Sequence, residues 1–130
     1  MNAASNPMLQ PGTTIMVVED EVLVRLWIAE ELRSRALRVI EANNAEEALR
    51  VLQCVQGVDL VITGIRMPGV VDGVTFARFV KREYGLPVIL ASAHYEAALP
   101  GRVADAFFAK PYNADQLFAA AVELLKGVKS

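Results

Sequence analysis

Short β-branched blocks alternate along the chain with longer stretches in which apolar residues recur at helical spacing. Thr13–Val18 (T-T-I-M-V-V) predicts a first buried strand. Glu19-Asp20-Glu21 follows at once, and a helix is predicted from Val22 to Ala36. Val22, Leu26, Ala29 and Ala36 share one face of that helix, with Leu32 close by. Leu23, Val24, Trp27 and Ile28 form a second apolar stripe. A helix lying on a sheet needs one stripe. The second therefore calls for a neighbouring helix, or forms a docking surface anchored by Trp27.

Arg38–Ala42 predicts a short second strand. Asn44 to Glu47 (N-A-E-E) has the spacing of a capping box. The helix it opens buries Ala48, Leu52 and Val55 and runs to Gly57. Val58–Thr63 is the third strand, closed by a Gly/Pro/Asp-rich turn over Met67–Gly73. Asp72 caps the next helix, whose Phe76, Phe79 and Val80 point inward. Gly85 with Pro87 beyond it stops that helix. Pro87–Ala91 and Asp105–Phe108 are the fourth and fifth strands. Between them, Tyr95–Leu99 has room for one or two helical turns before Pro100-Gly101. Asn113 and Gln116 form a second capping box, and Leu117, Ala120, Ala121 and Leu124 give the last helix its stripe.

The order predicts an α/β fold: a single doubly wound, five-stranded parallel sheet with helices on both faces and a shortened fourth helix. At 130 residues the chain is one domain, read as a disordered leader over 1–12, a folded unit over 13–127 and a tail over 128–130. No stretch approaches the ~20 apolar residues of a membrane span. Met1–Gly12 lacks the basic start and apolar block of a secretion signal. Cys54 is the single cysteine, which excludes an internal disulfide; its expected place is on a helix face as a small inert residue. A net charge of −2 without a basic cluster argues against nucleic-acid binding. The expected compartment is the cytoplasm.

In such folds ligands sit at the carboxyl edge of the sheet. The first strand delivers Glu19 and Asp20 there, the third Gly64, the fourth Ser92, and the fifth leads to Lys110-Pro111. Two adjacent carboxylates suit a hard divalent cation such as Mg²⁺. A hydroxyl and an ammonium opposite them suit a phosphoryl group. Each residue alone is weak: an acidic pair often serves a helix N-terminus, and a loop Ser or Lys is usually solvated.

The constellation resembles the receiver domain of two-component response regulators. The resemblance runs from Thr14 to Lys126, on V-V-E-D-E at 17–21, D-L-V-I-T-G-I-R-M-P-G-V-V-D-G at 59–73, P-V-I-L-A-S-A at 87–93 and F-F-A-K-P-Y at 107–112. It implies that Glu19, Asp20 and the Arg66 backbone carbonyl hold Mg²⁺, and that Ser92 and Lys110 grip the phosphoryl group. Phe107 becomes the switch aromatic, and Lys110-Pro111 a cis bond. The implied partners are a histidine kinase, a phosphotransfer protein or a downstream effector, with room for a homodimer and with neither nucleic acid nor membrane.

The departures from that pattern decide the functional expectation. The phosphoacceptor position is Gly64, which removes the acceptor and weakens the metal site. Asp59, five residues earlier, points to the opposite face, and Asp72 is the helix cap; Asp20 and Glu19 are the nearest remaining carboxylates. The Met67–Gly73 turn is one residue longer than its commonest form. The Ser92–Lys110 interval is shorter than usual, trimming the helix of the family's usual output surface. Phe107 lacks the hydroxyl of the commoner tyrosine, so packing alone would govern its rotation. His94, the only histidine, sits in a loop without a histidine-kinase context.

Two readings follow: a non-enzymatic degenerate receiver acting through protein–protein contacts, or an ordinary receiver whose aspartate was replaced recently or by engineering. Retention of Glu19, Asp20, Ser92 and Lys110 favours a recent loss. A flavodoxin-like cofactor binder is disfavoured, because Glu19-Asp20-Glu21 would repel a flavin phosphate. No G-x-G-x-x-G or G-x-x-x-x-G-K-[ST] occurs either.

Overall fold

A computed structural model describes residues 9, 12–67, 69, 71–92, 104–109 and 112–129. The elements are β1 (Thr14–Val18), α1 (Val22–Arg33), β2 (Arg38–Ala42), α2 (Ala45–Cys54), β3 (Leu60–Thr63), α3 (Gly73–Tyr84), β4 (Val88–Ser92), β5 (Ala106–Ala109) and α4 (Ala114–Lys129). The strands form one parallel sheet in the order β2-β1-β3-β4-β5. The doubly wound five-stranded sheet is therefore as expected.

Alternation along β1 explains why helices cover both faces. Met16 and Val18 enter the cluster built by Ala48 and Leu52 of α2 and Phe76 and Val80 of α3. Ile15 and Val17 enter the opposite cluster, with Ile28 and Leu32 of α1 and Leu117 and Ala121 of α4. Leu9, expected in a disordered leader, is half-buried against this second cluster.

Several boundaries differ from the sequence reading. α1 stops at Arg33, three residues before the expected Ala36. The Ala36 N–H donates to the Arg33 carbonyl and the Leu37 N–H to the Leu32 carbonyl, a left-handed C-terminal motif with φ of 67° at Ala36. Leu37 is thereby turned into the core. The sequence carries no glycine to announce this stop. Alanine in the left-handed region is strained, so Ala36→Gly is expected to stabilise the fold by about 1 kcal/mol after glycine's own entropic cost. A urea melt with unchanged slope and a higher midpoint would show it.

The buried stripe of α1 takes Ala29 and Leu32 from the first expected stripe and Ile28 from the second, while Val22 and Leu26 are exposed. α4 packs beside α1 but does not cover its start. Leu23 is 81% exposed and Trp27 39%. α2 ends at Cys54, not Gly57; Val55 is its extended, exposed C-cap, and Cys54 itself is exposed. Val58 is buried ahead of β3 without joining the sheet, and Phe79 is only half-buried. The caps at Asp72, Gly85 and Asn113 form as read; Asn44 caps α2 by accepting the Glu47 N–H, but Glu47 reaches back to the Asn43 N–H and not to that of Asn44. The expected turns at Tyr95–Leu99, and His94, lie outside the described residues.

Candidate functional site at the carboxyl edge

The ends of β1, β3 and β4 converge, and parallel register fixes their relative heights. The Glu19 N–H donates to the Ala42 carbonyl (3.0 Å), and the Gly64 N–H to the Val18 carbonyl (3.0 Å). Glu19 is half-buried and Asp20 exposed. Glu19 Oε2 accepts the Glu21 N–H at 3.0 Å. Its Oε1 faces Gly64: a Cβ at Gly64 would lie 3.1 Å from Glu19 Oε1 and 3.8 Å from the Ala91 carbonyl oxygen. A side chain at position 64 would therefore share a pocket with the Glu19 carboxylate. Burial raises the Glu19 carboxyl above its usual range, opposed by the Glu21 N–H and reinforced by the carboxyls of Asp20 and Glu21.

The turn after Gly64 is braced from both sides. The Gly73 N–H donates to the Ile65 carbonyl at 2.8 Å, and Thr63 Oγ1 to the Gly64 carbonyl at 3.0 Å. Asp72 caps α3 by accepting the Thr75 N–H at 2.8 Å. From α2, Glu46 Oε2 accepts the Val71 N–H at 2.9 Å. Gly69, at φ 113°, passes so close to that carboxylate that a Cβ there would lie 2.7 Å from Oε1.

Of the residues expected at the site, Glu19, Asp20 and Gly64 come together. Arg66 is exposed in the following turn. The backbone of Ser92 ends β4, paired with Ala109. The Ser92 side chain and the Lys110-Pro111 pair lie outside what the structure describes. Phe107 is half-buried opposite Leu90, against the α2–α3 cluster. Asp59 belongs to the other edge, where its carboxylate accepts the Thr14 N–H at 2.9 Å. Asp105 is also used there, binding Lys81 Nζ (2.8 Å) and the Val88 N–H (2.8 Å).

Sequence reasoning assigned no role to Tyr112. Its ring lies 6.0 Å from Trp27 and 6.4 Å from Phe108. Burial, and then the negative charges of Glu19 and Glu21, push its phenol up to about 12. The folded state therefore keeps this proton longer than the unfolded chain, whose tyrosine titrates near 10.0. The associated stability is complete below pH 10 and is lost as pH rises towards 12. An alkaline absorbance titration should contain one late-ionising phenol that Tyr112→Phe removes. An unchanged curve would place that proton elsewhere.

The oxygen donors of Glu19 and Asp20 suit a hard divalent cation that keeps most of its water. Among the described residues no group of three or more His, Cys, Asp or Glu converges on one point. The donor set thus fits Mg²⁺ with fewer carboxylates than a complete cage.

A parallel sheet in the order β2-β1-β3-β4-β5 is the doubly wound, flavodoxin-like arrangement, and the acidic pair at the end of β1 stands at its carboxyl edge. The profile of the response regulator receiver domain matches residues 15–122, and the chain belongs to that family. It is 32% identical over 124 residues to the sensor kinase CckA of Brucella abortus, covering 91% of this chain and 13% of the kinase. It is 32% identical over 123 residues to the transcriptional regulatory protein GlrR of Escherichia coli, covering 90% of this chain and 27% of GlrR. The chain thus spans well under a third of either relative. Among solved structures, the response regulator TrrA of Thermotoga maritima in complex with Mg²⁺-BeF superposes with a TM-score of 0.76 at 33% identity. That match covers 86% of this chain and 98% of TrrA. A response regulator receiver domain from Clostridium thermocellum gives 0.78 at 25% identity, covering 90% and 97%. Receiver domains of this family are signalling modules of two-component phosphorelays. No helix among the described residues is long and apolar enough to cross a membrane.

Proposed function

We propose that this chain is a degenerate receiver that is not phosphorylated at position 64 and acts by protein–protein interaction, without enzymatic activity of its own. The carrying observation is that a Cβ at Gly64 would lie 3.1 Å from Glu19 Oε1. Position 64 is thus where an acceptor carboxylate would meet the acidic pair, and glycine offers no oxygen. Glu19, Asp20 and the Arg66 carbonyl hold Mg²⁺ weakly, and Ser92 and Lys110 are the phosphoryl-binding pair. Bound Mg²⁺ would offset carboxylate repulsion and attract phosphoryl oxygens. Phe107, already packed inward, lacks a hydroxyl to report on the pocket.

The exposed start of α1 (Val22, Leu23, Leu26 and Trp27) offers an apolar surface beside the acidic edge. It suits a cytoplasmic partner of the phosphorelay: a histidine kinase, a phosphotransfer protein or an effector. A second reading, recent or engineered loss of the aspartate, draws support from the intact Glu19–Asp20 pair. Incubation with acetyl phosphate and Mg²⁺ tests the main proposal. No hydroxylamine-labile adduct is expected on this chain, and its appearance would overturn the silent-site reading.

A further inference from the structure

Arg25, on the first turns of α1, reaches back over the end of β1. Its Nη1 donates to the Glu19 carbonyl at 2.8 Å and to Asn43 Oδ1 at 2.6 Å. Its Nε donates to Glu41 Oε1 at 3.1 Å, and Glu41 is also held by Arg33 Nη1 at 3.1 Å. The Arg25 side chain is only 13% exposed. One planar guanidinium therefore joins the β1–α1 junction, the end of β2 and the loop leading into α2, a geometry a lysine ammonium does not reproduce. The Glu19 carbonyl it grips is the peptide between the two acidic residues, so it fixes the backbone from which both carboxylates project. Asn43 is held in turn, its N–H donating to Glu47 Oε1 at 2.6 Å.

We infer that Arg25 is the positioning residue of the acidic pair, setting the Glu19–Asp20 geometry for a divalent cation without touching the cation itself. This rests on the reading of Glu19 and Asp20 as the cation site. Two physical effects oppose each other here. Losing the clamp lets the carboxylates wander and weakens binding, whereas losing a nearby positive charge strengthens it. Because Glu41 already neutralises Arg25, the first effect should win.

Calorimetric titration with Mg²⁺ alone, on this chain and on Gly64→Asp, each with and without Arg25→Gln and Arg25→Lys, provides the test. Arg25→Gln is expected to weaken Mg²⁺ about ten-fold, the usual scale for a residue that orients metal ligands. Arg25→Lys should recover little of that loss. Unchanged or tighter binding in Arg25→Gln, or a lower melting temperature with affinity intact, would overturn the role. Failure of both parent chains to bind Mg²⁺ would instead remove the cation site, and the role of Arg25 with it.

Discussion

Gly64→Asp is expected to form an acyl phosphate, where the parent chain is expected to form none, and to tighten Mg²⁺ at least ten-fold. The new Cβ would sit 3.1 Å from Glu19 Oε1, so the flexible carboxylate of Glu19 must yield slightly while the backbone stays in place. The added carboxylate then faces Glu19 and Asp20. Repulsion among three acids at this edge costs on the order of 2 kcal/mol. It should also push the Glu19 carboxyl, already raised by burial, higher still. In chelator the variant is therefore expected to melt below the parent chain, and in millimolar Mg²⁺ to recover. The recovery is the informative part, because a merely strained substitution would not respond to the cation. Melts with and without Mg²⁺, beside the acetyl phosphate reaction, check both halves. A variant equally stable under the two conditions would show that position 64 does not face the acidic pair.

Gly73→Ala is expected to be far more damaging than its size suggests. A Cβ at Gly73 would overlap the Gly64 carbonyl oxygen and lie 2.8 Å from both the Gly64 carbonyl carbon and the Ile65 Cα. All three are backbone atoms, so no side chain can swing aside. Relief requires moving the start of α3 away from the end of β3 and stretching the 2.8 Å bond from the Gly73 N–H to the Ile65 carbonyl. A loss of about 3 kcal/mol or more is expected, at the upper end for overpacking. For a domain of this size that lowers the melting temperature by roughly 10 °C. Gly57→Ala is the control: its φ of 90° makes alanine strained, but nothing lies within 4 Å of the added carbon. It should cost only about 1 kcal/mol. Similar losses at the two positions would mean that α3 adjusts freely and that the contact at Gly73 is soft.

How much of this was legible in the sequence depends on the distance between interacting residues. The strands and caps were readable because their causes are local. Asn44 reaches Glu47, Asp72 reaches Thr75 and Asn113 reaches Gln116, each within one helical turn. The end of α1 was misread because Ala36 takes a left-handed conformation that alanine does not advertise. Its buried face was misplaced because two apolar stripes compete on the wheel. The buried face combines Ala29 and Leu32 from the edge of one with Ile28 from the edge of the other. Of the site, Glu19, Asp20 and Gly64 were readable from strand ends, and the structure brings them to one place. Arg25, Glu46 and Tyr112 were not. Their partners lie far along the chain: Glu41 and Asn43 for Arg25, Val71 for Glu46, Trp27 for Tyr112. No local spacing encodes such contacts.

The exposed thiol at the end of α2 has a practical consequence. Cys54 is the chain's single cysteine, and Trp27 its single tryptophan. They stand on different helices: Trp27 on α1, against Tyr112 beside the acidic edge, and Cys54 at the end of α2, one ten-residue helix away from the Asn44 cap. At 1.5 Å per residue, that helix carries the thiol about 15 Å from the edge. The sequence therefore already contains one indole and one exposed thiol to which a label can be attached. A thiol-reactive acceptor on Cys54 can take up excitation from the Trp27 indole, so docking at α1 can be followed as a change in energy transfer without altering a single residue.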